Sequence, residues 1–140
     1  MFQHLLLAFD GSENAQRAAT LAGTLAREQN PPAMVRVVVA VDRVSANLGE
    51  PNFSRLAAER TLRGQELILE ARGRVGAGLD VHEELLFGPP AEEILGVAEV
   101  RGCDLIVMGT RGHSPLQGLL FGSQAQKVIG RAPCPVLVVR

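Results

Sequence analysis

An α/β fold is what this sequence predicts: one doubly wound, five-stranded parallel sheet, strand order 3-2-1-4-5, with helices on both faces. Three observations carry that expectation. Strand-like and helix-like patterns alternate along all 140 residues. The strand-like runs are short and nearly all apolar, as parallel strands buried on both faces must be. Neither repeat nor linker divides the chain, and its length suits residues 1–140 as one domain with one core.

His4 to Phe9 is an apolar run too short for a helix and long enough for a buried strand. After Asp10-Gly11-Ser12, the residues Ala15, Ala18, Ala19, Ala22, Leu25 and Ala26 repeat at helical spacing, with Ser12 placed to cap the helix start. Asn30-Pro31-Pro32 ends that helix. Val35 to Val41 is rich in β-branched residues and reads as the second strand. Ser45 to Asn52 reads as loop, and a second helix is expected from about Phe53 to Val75, closed by Gly76-Ala77-Gly78.

Leu79, Val81, Glu83 and Leu85 alternate with Asp80, His82, Glu84 and Leu86, the pattern of a half-exposed strand. Gly88-Pro89-Pro90 then opens a helix, with proline suited to its first turn and Glu92 and Glu93 to its positive end. Ile94, Leu95 and Ala98 are expected on its buried face. Leu105 to Met108 is a fourth, fully apolar strand. A glycine-marked polar segment from Gly109 to Phe121 precedes a short helix expected to turn Ala125, Val128 and Ile129 inward. Val136 to Val139 is the last strand. The order βαβαβαβαβ implies right-handed crossovers and a switch point where strand order reverses, the usual place for a ligand.

Composition narrows the function. Apolar residues make up 46 % and charged residues 21 %, ample for a core and unlike a disordered chain. A net charge of −1 argues against non-specific nucleic-acid binding, which needs a basic face. Thirteen of the fourteen cations are arginines, scattered rather than clustered, and the other is Lys127. No run approaches the ~20 apolar residues of a membrane span, and Leu5-Leu6-Leu7-Ala8-Phe9 lacks the basic start and cleavage site of a signal peptide. A cytoplasmic location without membrane association is the expectation. Cys103 and Cys134 are too few for a disulfide framework or metal cage and read as reduced thiols beside apolar strands.

Two clusters carry candidate chemistry. Asp10-Gly11-Ser12 ends the first strand, where a carboxylate can accept hydrogen bonds from ribose hydroxyls. It can equally be a plain strand-to-helix turn. The second cluster is Gly109-Thr110-Arg111-Gly112 followed, nine residues on, by Gly122-Ser123. Glycines expose backbone N–H groups to an anion, and a helix beginning at Gly122-Ser123 offers free donors and a positive end. A surface loop with a serine cap is the competing reading. With strands one and four flanking the switch point, both clusters face one crevice.

These residues resemble the universal stress protein family. The resemblance rests on Leu6-Leu7-Ala8-Phe9-Asp10-Gly11-Ser12, on Asp104-Leu105-Ile106-Val107-Met108-Gly109-Thr110-Arg111-Gly112, on the spacing Gly109-x2-Gly112-x9-Gly122-Ser123, and on Ala132-Pro133-Cys134-Pro135-Val136-Leu137-Val138-Val139. It spans the whole chain and is similar to the ATP-binding branch, with a Rossmann-like fold. It implies that Asp10, with Ala8 and Phe9 beside it, holds the ribose, and that Val41 lines the adenine pocket through backbone contacts. It further implies that Gly109, Gly112, Gly122 and Ser123 wrap the phosphates with the backbone of Met108, Arg111 and Gln124. Asp42 stands where the family often has histidine. The cofactor implied is ATP, with or without Mg²⁺.

Other residues tempt less. His113 and Arg111 could meet phosphate or simply be solvated, and His4 and His82 have no metal-ligand spacing. Lys127 is not a Walker lysine, because no G-x-x-x-x-G-K-[ST] occurs. No acidic pair is evident beside the glycine segment, so fast phosphoryl transfer is not expected, though slow hydrolysis stays open. Val136, Leu137, Val138 and Val139 form an unbroken apolar edge strand, which needs a cover, and the simplest is a second copy in a two-fold homodimer. Three functions follow: an ATP-binding stress-response or signalling dimer, an enzyme of the ATP pyrophosphatase kind, or a dimerisation module without nucleotide. The pyrophosphatase reading suffers because its phosphate loop belongs after strand one, where Asp10-Gly11-Ser12 is too short.

Overall fold

The computed structural model describes residues 1–110 and 122–140. The strands are β1 (His4–Ala8), β2 (Met34–Val41), β3 (Val81–Phe87), β4 (Leu105–Gly109) and β5 (Val136–Val139). The helices are α1 (Glu13–Glu28), α2 (Asn52–Val75), α3 (Pro90–Arg101) and α4 (Ser123–Arg131). The expected loop before α2 holds one short 3-10 turn, Ala46–Leu48, with its N–H of Asn47 donated to the Ser45 hydroxyl. All five strands are parallel, in the order β3-β2-β1-β4-β5, as the alternation predicts.

The three central strands bury both faces, and parity divides their side chains. Leu5, Leu7, Val35, Val37, Val39, Leu105 and Val107 pack with α1 and α2. Leu6, Ala8, Val38, Ile106 and Met108 pack with α3 and α4. Nearly all are fully buried. Small residues on α1 let it lie close to the sheet: Ala15, Ala18, Ala19, Ala22 and Ala26 are each at most 2 % exposed. Arg27 closes the α1–α2 contact by donating from Nη2 to the Val75 and Ala77 carbonyls, at 2.8 and 2.7 Å, which satisfies the end of α2.

α4 corrects one expectation. Ala125 and Val128 are buried, but Ile129 is 45 % exposed rather than inward. The helix covers the flank of the sheet beside β5, so only a narrow stripe of it meets apolar neighbours. Leu25 and Leu95 are likewise only half-buried. The cysteines are free, Cys103 buried and Cys134 half-buried, and burial pushes the Cys103 thiol up to about 11.

Candidate functional site

Parallel order places the carboxyl ends of β1, β2 and β4 side by side. In the register, Ala8 stands opposite Val38 on one side and Met108 on the other. Beyond those ends lies a cleft of about 460 Å³, within the size range of small-molecule sites. Its floor and walls are apolar: Ala8, Val38, Ala40 and Met108 from the strands, and Pro90 and Ile94 from α3. Its polar rim is Asp10, Asp42, Gly122 and Gln124. Among the described residues no Lys or Arg lines it, and these residues offer an anion there main-chain N–H groups as donors. The first turn of α4 has such donors without intrahelical acceptors.

Local chemistry explains how each part is held. The Asp10 Oδ1 accepts the Ser12 N–H at 3.0 Å, an Asx turn that lifts the carboxylate to the rim. The Ser12 hydroxyl accepts the Ala15 N–H at 3.2 Å and caps α1, as the sequence suggests. Gly11 between them has φ +82°, which glycine adopts freely. Gly109 ends β4 against the start of α1, where a Cβ would sit 2.6 Å from the Ala15 nitrogen. Its lack of a side chain therefore serves helix–strand packing as well as any ligand. At the other rim, α3 begins at prolines that offer no side-chain cap, and Gln124 supplies one by accepting the Ala91 N–H at 2.9 Å through Oε1.

Of the residues singled out in the sequence, Ala8, Phe9, Asp10, Met108, Gly109, Gly122 and Gln124 come together around the cleft. Val41 does not line it. Its side chain packs toward α1 and α2, while its neighbours Ala40 and Asp42 face the opening. Ser123 is exposed and lies outside the lining, beside Lys127 and Arg131. Arg111, Gly112 and His113 lie outside the described residues. Sequence reasoning missed the α3 wall; Asp42, which it singled out next to Val41, lines the cleft together with Asp10. Strand parity could have found Val38 and Ala40, because both share a face with Arg36 on β2. The other sequence candidates are occupied elsewhere: Lys127 pairs with Glu92 at 3.9 Å, and His82 with Asp80 at 3.1 Å. Among the described residues no group of three His, Cys, Asp or Glu could hold a metal.

The model of the universal stress protein family matches residues 1–140. A universal stress protein of Thermus aquaticus, from the QAH/OAS sulfhydrylase 3' region, is 45 % identical over 140 residues, covering 100 % of both chains. The solved structure of universal stress protein UspA from Lactobacillus plantarum superposes with a TM-score of 0.85 at 26 % identity, covering 99 % of this chain and 98 % of that one. A universal stress protein crystallised in complex with cAMP superposes with a TM-score of 0.73 at 25 % identity, covering 99 % and 97 %. The doubly wound sheet, the cleft at its switch point and the full-length match together make this chain a member of the universal stress protein family.

Proposed function

We propose that the protein binds an adenine nucleotide, ATP foremost, in the cleft beyond β1, β2 and β4. In this reading it acts as a homodimeric stress-response or signalling protein in the cytoplasm, with slow hydrolysis or none. The observation that carries the reading is that Asp10 and the start of α4 share one cleft with an apolar floor. A planar base suits the apolar wall of Val38, Ala40 and Ile94. Ribose hydroxyls suit the Asp10 carboxylate. Phosphates suit Gly122 and the α4 donors. The relative in complex with cAMP supports the same ligand class.

Mg²⁺ would enter with the phosphates. Asp10 and Asp42 supply hard oxygen donors at the rim, too few to hold the ion alone. Dimerisation would pair β5 with a second copy. Val136 to Val139 form a half-buried apolar edge, and such an edge is a template for another strand.

The test is to denature the purified protein, look for released nucleotide by mass, and follow melting with ATP and Mg²⁺. Ligand at ~100 times its dissociation constant should stabilise the fold by about 2.7 kcal/mol. A Gly122→Glu variant should lose that shift, since a carboxylate would occupy the anion's place. No released nucleotide and no shift at millimolar ATP would defeat the reading.

A further inference from the structure

We infer that the side-chain amide of Gln124 binds the phosphate next to the ribose, as the one side-chain donor that the described residues bring to the cleft. The inference rests on the nucleotide-binding reading and deepens it by naming the residue that tells a nucleotide from a nucleoside.

The orientation of the amide follows from its partner. Gln124 stands in the first turn of α4 and accepts the Ala91 N–H at 2.9 Å. A main-chain N–H can only donate, so the amide atom that faces it is Oε1, and Nε2 with its two N–H donors is the other arm. No acceptor among the described residues takes those donors. Gln124 is half-buried and lines the cleft, so the cleft is where they are offered.

The rest of the lining gives that arm its meaning. The other polar side chains there are the carboxylates of Asp10 and Asp42, acceptors rather than donors, and the remaining described side chains are apolar. With ribose hydroxyls on Asp10, the negative end of a nucleotide turns away from the carboxylates and toward the amide. A hydrogen bond from an amide to a charged oxygen is stronger than one to a neutral partner.

The tether also selects which phosphate. Ala91 lies in the first turn of α3, next to Pro90 and three residues before Ile94, both of them part of the apolar wall. Ser123, one position earlier in α4, is exposed and outside the lining. The amide therefore stands at the inner end of the cleft, where the wall for the base stops. A nucleotide with its base on that wall and its ribose on Asp10 brings its first phosphate there, and further phosphates extend outward.

The experiment is calorimetric titration of wild type, Gln124→Glu and Gln124→Met with adenosine, AMP and ATP, with melting of each protein. Glu keeps an oxygen for the Ala91 N–H, so α3 keeps its cap and melting should hold, while the donors are lost and a negative charge replaces them. Met keeps the length and neutrality of Gln but loses both arms, so its melting temperature should fall slightly. In both variants AMP should weaken about tenfold or more while adenosine affinity holds. In Gln124→Met the ratio of ATP to AMP affinity should stay at its wild-type value, because only the inner phosphate loses a donor. Equal losses for adenosine and AMP, an unchanged AMP affinity, or a loss confined to ATP would each overturn the inference while leaving nucleotide binding intact. Wild-type protein that binds none of the three would overturn the nucleotide reading and this inference with it.

Discussion

Gly23 of α1 and Val75 of α2 meet backbone to backbone: a Cβ on Gly23 would overlap the Val75 carbonyl oxygen and lie 2.9 Å from its carbon. That oxygen is already bonded to Arg27 at 2.8 Å, so it cannot retreat without breaking the end of α2. Gly23→Ala should destabilise the fold by about 1–3 kcal/mol, the usual cost of overpacking. Gly73, in the last turn of α2, has open space around its missing Cβ beyond its own turn of helix. Gly73→Ala should stabilise by about 0.5 kcal/mol, since the last turn realises only part of the helix-interior gain. Gly64→Ala falls between, because its Cβ meets the movable end of Leu85 rather than backbone. Urea midpoints rank the three, and a Gly23→Ala variant as stable as wild type would refute the close approach.

His4 should make stability fall in mild acid. Its Nε2 accepts from Arg36 Nε at 3.2 Å, which requires that nitrogen to be unprotonated. Burial, then the Arg36 charge, hold the imidazole below its ordinary value of 6.5, with Asp104 pulling the other way. The folded state therefore binds the proton less readily than the unfolded chain. Stability is at its full value above 6.5 and declines as pH falls from 6.5 toward the lower folded value. His4→Gln keeps an acceptor for Arg36 and removes the titration. Urea unfolding across that window should show a slope in wild type that the variant lacks.

Asp10 separates turn from ligand. Asp10→Asn keeps an oxygen for the Ser12 N–H, so the α1 start should survive and melting should change little. What goes is the charged acceptor, and a hydrogen bond to a charged group is worth about 1.5–3 kcal/mol. ATP affinity should fall by that much. Calorimetry on the variant checks it, and undiminished affinity would remove Asp10 from the site.

The sheet was legible in the sequence because β1, β2 and β4 are nearly continuous apolar runs, Arg36 of β2 and His4 of β1 apart, as strands of a doubly covered parallel sheet are. The hydrogen-bonded joint between Thr110 and Asn14 was not, since it spans 96 positions and nothing in the glycine-marked pattern around Thr110 points to Asn14. Val41 shows a subtler limit. It sits at the right strand end, but parity turns its side chain toward α1 and α2 and gives the cleft to Ala40 and Asp42. Ile129 fits a helical stripe by spacing, yet spacing cannot reveal that α4 lies on the flank of the sheet. Periodicity locates faces; which faces find a neighbour depends on tertiary position.

β5 offers a test of assembly that spares the fold. The carbonyls of Pro135 and Val139 accept from Ile106 and Thr110, so the odd residues turn their main-chain groups toward β4. In a parallel ladder the even residues then turn theirs outward, which leaves the Val138 N–H on the open edge. A proline is tolerated on an edge strand where the missing donor faces solvent. Val138→Pro should keep the parallel sheet and lose the donor that a second β5 would need. The side chain also loses part of its packing beside Met108 and Val136, so a modest drop in melting temperature is expected with it. Light scattering should then show wild type as a dimer and the variant as a monomer, each with the same circular dichroism. A wild-type monomer, or a variant that stays dimeric, would mean that the β5 edge is not where two copies meet.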